Sequence, residues 1–118
     1  MIIVLEIIND SRVHRIHDNC FRDNQQITEI LIPTHITTLG QFSFSNCQQL
    51  TKVIIPSSVT TIPYCCFEHC YNLKELQLPN PIQLETNCFW QCHSSPMNPK
   101  YHFLQQRSFI EKHVLNKK

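Results

Sequence analysis

A period of 23 residues runs through this chain, and few folds can accommodate one. The central stretch runs from Leu50 to Cys70. Within it, Leu50, Val53, Ile55, Val59, Ile62 and Phe67 stand 23 residues after Ile27, Ile30, Ile32, Ile36, Leu39 and Phe44. Going forward, Leu73, Leu76, Leu78 and Pro79 stand 23 residues after Leu50, Val53, Ile55 and Pro56. A period in this range marks a stack of similar units, none of which buries its apolar side alone. Each unit gains its core from the next, so three or more must stack.

Four units fit one template. The first runs from Val13 through Ile16, Cys20 and Phe21 to Ile27, Ile30 and Ile32. The second holds Ile36, Leu39, Ser43, Phe44, Cys47, Leu50, Val53 and Ile55. The third holds Val59, Ile62, Cys66, Phe67, Cys70, Leu73, Leu76 and Leu78. The fourth, with Ile82, Leu84, Cys88, Phe89 and Cys92, is one residue short, the loss falling between Ile82 and Leu84. Residues 2–8 read as half a unit, an edge strand that caps the first end.

Within a unit the local chemistry is regular. A short apolar run closes on proline at Pro33, Pro56 and Pro79. Proline has no N–H for a ladder and ends a strand. A Thr-rich step follows, residues 36–39 and 59–62, and suits a second extended run. Then come a small residue, Phe, two residues and Cys. That segment is too short for a stable helix and predicts a tight turn or one helical turn.

This pattern resembles the BspA-like (Treponema-type) leucine-rich repeats. Residues 47–70 match that family at nearly every anchor, and the match covers about residues 13–93. Two departures stand out. The family's glycine survives only as Gly40, with His17, Pro63 and Glu85 in its place elsewhere. Pro63 cannot take a positive φ, so that position is not a left-handed turn in every unit. The family's Ala before Phe is Cys or Ser here.

The resemblance implies an α/β leucine-rich-repeat fold: a short, right-handed, curved solenoid. It would carry a parallel β-sheet on one side and tight turns or 3-10 segments on the other. The solenoid is expected over 1–93, with 1–12 as the N-terminal edge strand and cap. Residues 94–118 are expected to cap the other end. The segment reads either as a last strand at Tyr101 and Phe103 or, the favoured expectation, as a short helix with Phe103, Arg107, Ile110 and Val114 on one face.

Composition narrows the function. The 118 residues carry a formal net charge of +1 and a single glycine. That gives no electrostatic case for nucleic acid, no glycine-rich phosphate loop and no cofactor motif. The apolar run of residues 2–8 is far too short to span a membrane. It has no basic flank and is interrupted by Glu6, so it does not read as a secretory leader. A reducing, cytoplasmic setting with free thiols is expected on that ground, whereas the family resemblance points to the cell surface.

Seven cysteines invite other readings. Cys65, Cys66, His69 and Cys70 have the close spacing of a metal knot. Yet Cys66 aligns with Cys20 and Cys88, and Cys70 with Cys47 and Cys92. Six of the seven are thus repeat anchors, where Cys serves as a small buried hydrophobe. Disulfides Cys47–Cys70 and Cys70–Cys92 are conceivable, but parallel side-chain vectors suit the bond poorly. His17, His35, His69 and His93 are scattered, with no orienting partner for a thiol enzyme. No metal ligand or catalytic residue is assigned.

The sheet's outward face carries the functional expectation. With Ile30, Val53 and Leu76 inward, strand alternation sends Glu29, Lys52 and Glu75 outward in one row. Leu31, Ile54 and Gln77 form a second row, with Glu6 and Ile8 as possible extensions of the two. Alternating charges pair across strands, while an apolar stripe marks a contact. The expectation is a non-enzymatic interaction module that binds a protein or peptide on this face, with adhesion implied by the family. The alternatives are self-assembly through solenoid ends and, more weakly, a thiol- or metal-dependent protein.

Overall fold

In the computed structural model, residues 9–92 are described. The edge strand expected over 2–8 and the cap expected over 94–118 lie outside them.

The run closing on each proline forms a three-residue strand. β2 (Glu29–Leu31), β4 (Lys52–Ile54) and β6 (Glu75–Gln77) pair in parallel in the order β2-β4-β6. Their register steps by the repeat: Ile30 lies opposite Val53, and Val53 opposite Leu76. All three are fully buried, as alternation requires. The chain then turns, with Ile36 N–H donating to the Pro33 carbonyl and Val59 N–H to the Pro56 carbonyl, both at 3.1 Å.

The Thr-rich step forms a second, two-residue strand in each unit. These are β1 (Arg15–Ile16), β3 (Thr38–Leu39), β5 (Thr61–Ile62) and β7 (Gln83–Leu84). β1 pairs with β3 and β5 with β7, both parallel, but β3 and β5 are not hydrogen-bonded as strands. Pro63 accounts for the gap. In the next coil, Glu85 N–H donates to the Ile62 carbonyl at 3.0 Å. Ile62 is the counterpart of Leu39, so the matching donor to Leu39 would be the N–H of residue 63, which proline lacks. The register Thr61↔Gln83 is a step of 22, which fits the one-residue loss before Leu84.

The third side of each coil is a run of turns. Phe21, Phe44, Phe67 and Phe89 stack in one file through the interior. Neighbouring ring centroids are 5.3, 5.3 and 5.4 Å apart and interplanar angles are 7° or less. Each phenylalanine sits between two residues with left-handed backbone. Asn19, Phe42, Cys65 and Asn87 precede it, and Asp23, Asn46, His69 and Gln91 follow it, with φ between 53° and 64°. Asn and Asp tolerate this region best, and they fill four of the eight places. Bending the chain twice around each ring aims alternate N–H groups at the next coil. Phe21, Phe44 and Phe67 thus donate to Ser43, Cys66 and Cys88 carbonyls at 2.8–2.9 Å.

Gly40 has no positive φ. Its role is close approach. A Cβ there would lie 2.3 Å from Asp18 N and 2.6 Å from His17 O, both backbone atoms that cannot swing aside.

Candidate functional site

The face of β2, β4 and β6 carries the two rows expected from alternation. Glu29, Lys52 and Glu75 lie opposite one another, as do Leu31, Ile54 and Gln77. The charged row is unevenly paired. Lys52 Nζ lies 3.3 Å from Glu75 Oε2, whereas Glu29 is in no ion pair among the described residues. With side chains 35% and 51% exposed, the Lys52–Glu75 pair contributes little stability, on the order of 0–1 kcal/mol.

The apolar row is less open than an exposed stripe. Leu31 and Ile54 are half-buried and Gln77 is exposed. Closely spaced parallel strands shield the flanks of adjacent side chains, leaving mainly their tips free. The rows' possible extensions, Glu6 and Ile8, lie outside the described residues.

The exposed large hydrophobics among the described residues are on the turn side instead, at Tyr64 and Tyr71. The Phe42 ring meets Tyr64 edge-on at 5.5 Å, and the Arg22 guanidinium lies 4.7 Å over Phe42. His69 stacks on Tyr71 at 5.6 Å. Sequence reasoning missed this ridge. The signal was an aromatic residue in a column otherwise polar: Tyr64 aligns with Gln41, and Tyr71 with Gln48.

A shallow cavity of about 250 Å³ opens where β3 and β5 fail to pair, lined by Thr37, Thr38, Leu39, Thr60, Thr61 and Pro63. It has no charged lining.

The cysteines are placed by the repeat, with one correction. Cys47, Cys66, Cys70, Cys88 and Cys92 are buried anchors, but Cys20 is exposed. It belongs to the first of the four units, and among the described residues no earlier turn covers it. Cys65, which has no anchor role in the sequence, is buried. The thiols of the turn column do more than fill space. Cys47, Cys70 and Cys92 donate their S–H to the carbonyls of Phe21, Phe44 and Phe67, at 3.3, 3.2 and 2.8 Å. The Cys66 sulfur lies 3.3 Å from Ser43 Oγ.

Burial raises the pKa values of five of the buried thiols. Cys47 is pushed up to about 12 and Cys65 to about 11, and Cys66, Cys70 and Cys88 move the same way. A nucleophilic or metal-binding cysteine needs its thiolate, which this environment disfavours. Cys65, Cys66, His69 and Cys70 do not converge. Cys66 turns to Ser43, Cys70 to the Phe44 carbonyl, and His69 to the Tyr71 ring. Among the described residues, no three His, Cys, Asp or Glu side chains cluster as metal ligands. No helix among them is long and apolar enough to cross a membrane.

A solenoid of short parallel strands, stacked phenylalanines and one flat strand face defines a leucine-rich-repeat protein. The sequence profile of the BspA type leucine rich repeat region matches residues 4–115 in six copies, and the chain belongs to that family. Among solved structures, the chain is similar to the T. pallidum leucine-rich repeat protein. The identity is 23% over 90% of this chain and 46% of that one, with a TM-score of 0.70. It is also similar to a leucine rich cell surface protein from Faecalibacterium prausnitzii. That match has 27% identity over 68% of this chain and 21% of the other, with a TM-score of 0.65. A leucine-rich repeat protein from Bacteroides ovatus gives 28% identity over 70% of this chain and 27% of the other, with a TM-score of 0.60. The chain thus spans less than half the length of each of these structures. No curated protein matches it.

Proposed function

We propose that this chain is a non-enzymatic interaction module that binds a protein or peptide on the face of β2, β4 and β6. One observation carries the reading. The register Glu29–Lys52–Glu75 and Leu31–Ile54–Gln77 sets six side chains in two straight rows on a rigid, hydrogen-bonded sheet. A pre-ordered surface loses little entropy on binding, which favours recognition by such a face. The buried, protonated thiols offer no rival chemistry.

The similarity to a cell surface protein makes contact outside the cell, including adhesion, a setting for this role. The test is a pull-down from source-cell extract and culture medium with the full chain and with a Leu31→Asp/Ile54→Asp variant. Both must show the same circular dichroism. Partners retained by the parent and lost by the variant support the reading. Identical retention by both would reject the strand face as the binding surface.

A further inference from the structure

The six-residue face has a polarity that specifies what it would hold. Its charged row contains two carboxylates and one ammonium. The ammonium of Lys52 is already neutralised by Glu75 at 3.3 Å, which leaves Glu29 as the charge without a partner among the described residues. Leu31 lies two positions along the same strand and points to the same side, about 7 Å away by strand geometry. Ile54 lies opposite Leu31 on the next strand. Among the described residues, the β2 end of the face is therefore a carboxylate in no ion pair beside a half-buried aliphatic pair. The β6 end is an ion pair beside the neutral Gln77.

We propose that this face takes a linear segment of a partner protein that carries a lysine or arginine one side-chain step from a large apolar residue. The basic group would pair with Glu29, and the apolar side chain would cover Leu31 and Ile54. The proposal rests on the reading of this face as the contact surface, and it adds the partner's chemistry. An acidic segment is disfavoured. It would have to separate Lys52 from Glu75 to find a cation, and would then face two carboxylates. A wholly apolar segment would bury the Glu29 carboxylate without a partner, which costs more than the aliphatic contact returns. A basic-apolar segment satisfies both neighbours at once. A spacing of about 6–7 Å fits residues i and i+2 of an extended partner or i and i+4 of a helical one.

The test is selection of dodecapeptides from a random display library on the immobilised full chain at low salt. Enriched peptides are then synthesised and measured by fluorescence polarisation. The expected winners carry a basic residue two to four positions from an aliphatic or aromatic one. Glu29→Lys weakens them about tenfold, and Glu29→Gln weakens them less. A peptide with its basic residue changed to Glu regains binding to Glu29→Lys. This swap is a readout that a mere folding defect would not produce. Winners without a basic residue, or winners indifferent to Glu29→Lys, overturn the inference and leave the face reading standing. Winners that bind Leu31→Asp/Ile54→Asp as well as the parent overturn the face reading itself. A library that yields no binder overturns the linear-segment proposal, and the pull-down above then decides the face independently.

Discussion

The Cys70 thiol donates a hydrogen bond to the Phe44 carbonyl, 3.2 Å away in the preceding coil. Among the described residues no backbone N–H reaches that carbonyl. The thiol is thus its hydrogen-bond donor at the centre of the stack. This fits cysteine at Cys70 better than alanine or valine: the position needs a small apolar body with one weak donor.

Replacing Cys70 by alanine should therefore cost about 1–3 kcal/mol, because it leaves a buried carbonyl unpaired. Cys20→Ala, at the exposed member of the other cysteine column, should change stability by less than about 0.5 kcal/mol. Urea unfolding of the two variants side by side checks the contrast. Equal effects would mean that the Cys70 hydrogen bond carries no weight.

The phenylalanine file makes a second expectation. Phe67 stacks on Phe44 at 5.3 Å and on Phe89 at 5.4 Å, so it has ring neighbours on both sides. Phe67→Ala should cost about 3–5 kcal/mol, a large share of the about 5–15 kcal/mol typical of a domain. Phe67→Leu fills more of the hole and should cost distinctly less. Thermal unfolding of the pair measures both, and an alanine variant as stable as the leucine one would refute the file as a structural column.

Alkaline pH should unfold the protein. Burial raises the folded pKa of Cys47 to about 12, and Cys66, Cys70 and Cys88 move in the same direction. Unfolded thiols ionise near the usual 9, so above that pH the unfolded chain holds fewer protons and gains the advantage. The contribution of these thiols is complete below pH 9. It is lost as pH rises toward their folded values, at about 1.4 kcal/mol per pH unit for each thiol. The urea midpoint should stay level from pH 7 to 8.5 and fall steeply by pH 10.5. A level midpoint throughout would contradict the buried-thiol account.

The left-handed positions offer a stabilising change. Asn46 Nδ2 donates to Asp23 Oδ1 at 2.8 Å, one rung of a ladder between equivalent residues of adjacent coils. His69 occupies the next rung with φ 59°, where Asn is better tolerated. His69→Asn should add a rung to Asn46 and relieve the backbone, raising stability by about 0.5–1 kcal/mol. A lowered melting temperature would show that the His69–Tyr71 contact outweighs both.

Much of this fold could be read from residues alone, because a repeat writes its packing into its spacing. The phenylalanine file, the strand register and both outward rows follow from a step of 23 and an alternation of two. The half-burial of Leu31 and Ile54 does not, since it depends on how tightly neighbouring strands shield each other. Nor do the left-handed residues. Asn marks Asn19, Asn46 and Asn87, but Phe42, Cys65 and Gln91 carry no such sign, because the stack imposes the conformation whatever the residue. The exposure of Cys20 escaped for a related reason. An anchor is buried only where another coil lies over it, and periodicity does not say which coils are covered. The gap between β3 and β5 was legible in principle, as Pro63 removes a donor that the ladder needs.

That gap has a mechanical consequence. On one side the strands β2, β4 and β6 form an unbroken seam across three coils, while on the other the seam is interrupted between Leu39 and Pro63. A bending load on the stack concentrates at the interruption, with the continuous seam acting as the spine of the hinge. The face of β2, β4 and β6 is thus the stiff edge of the molecule, and its compliance lies on the Thr-lined side.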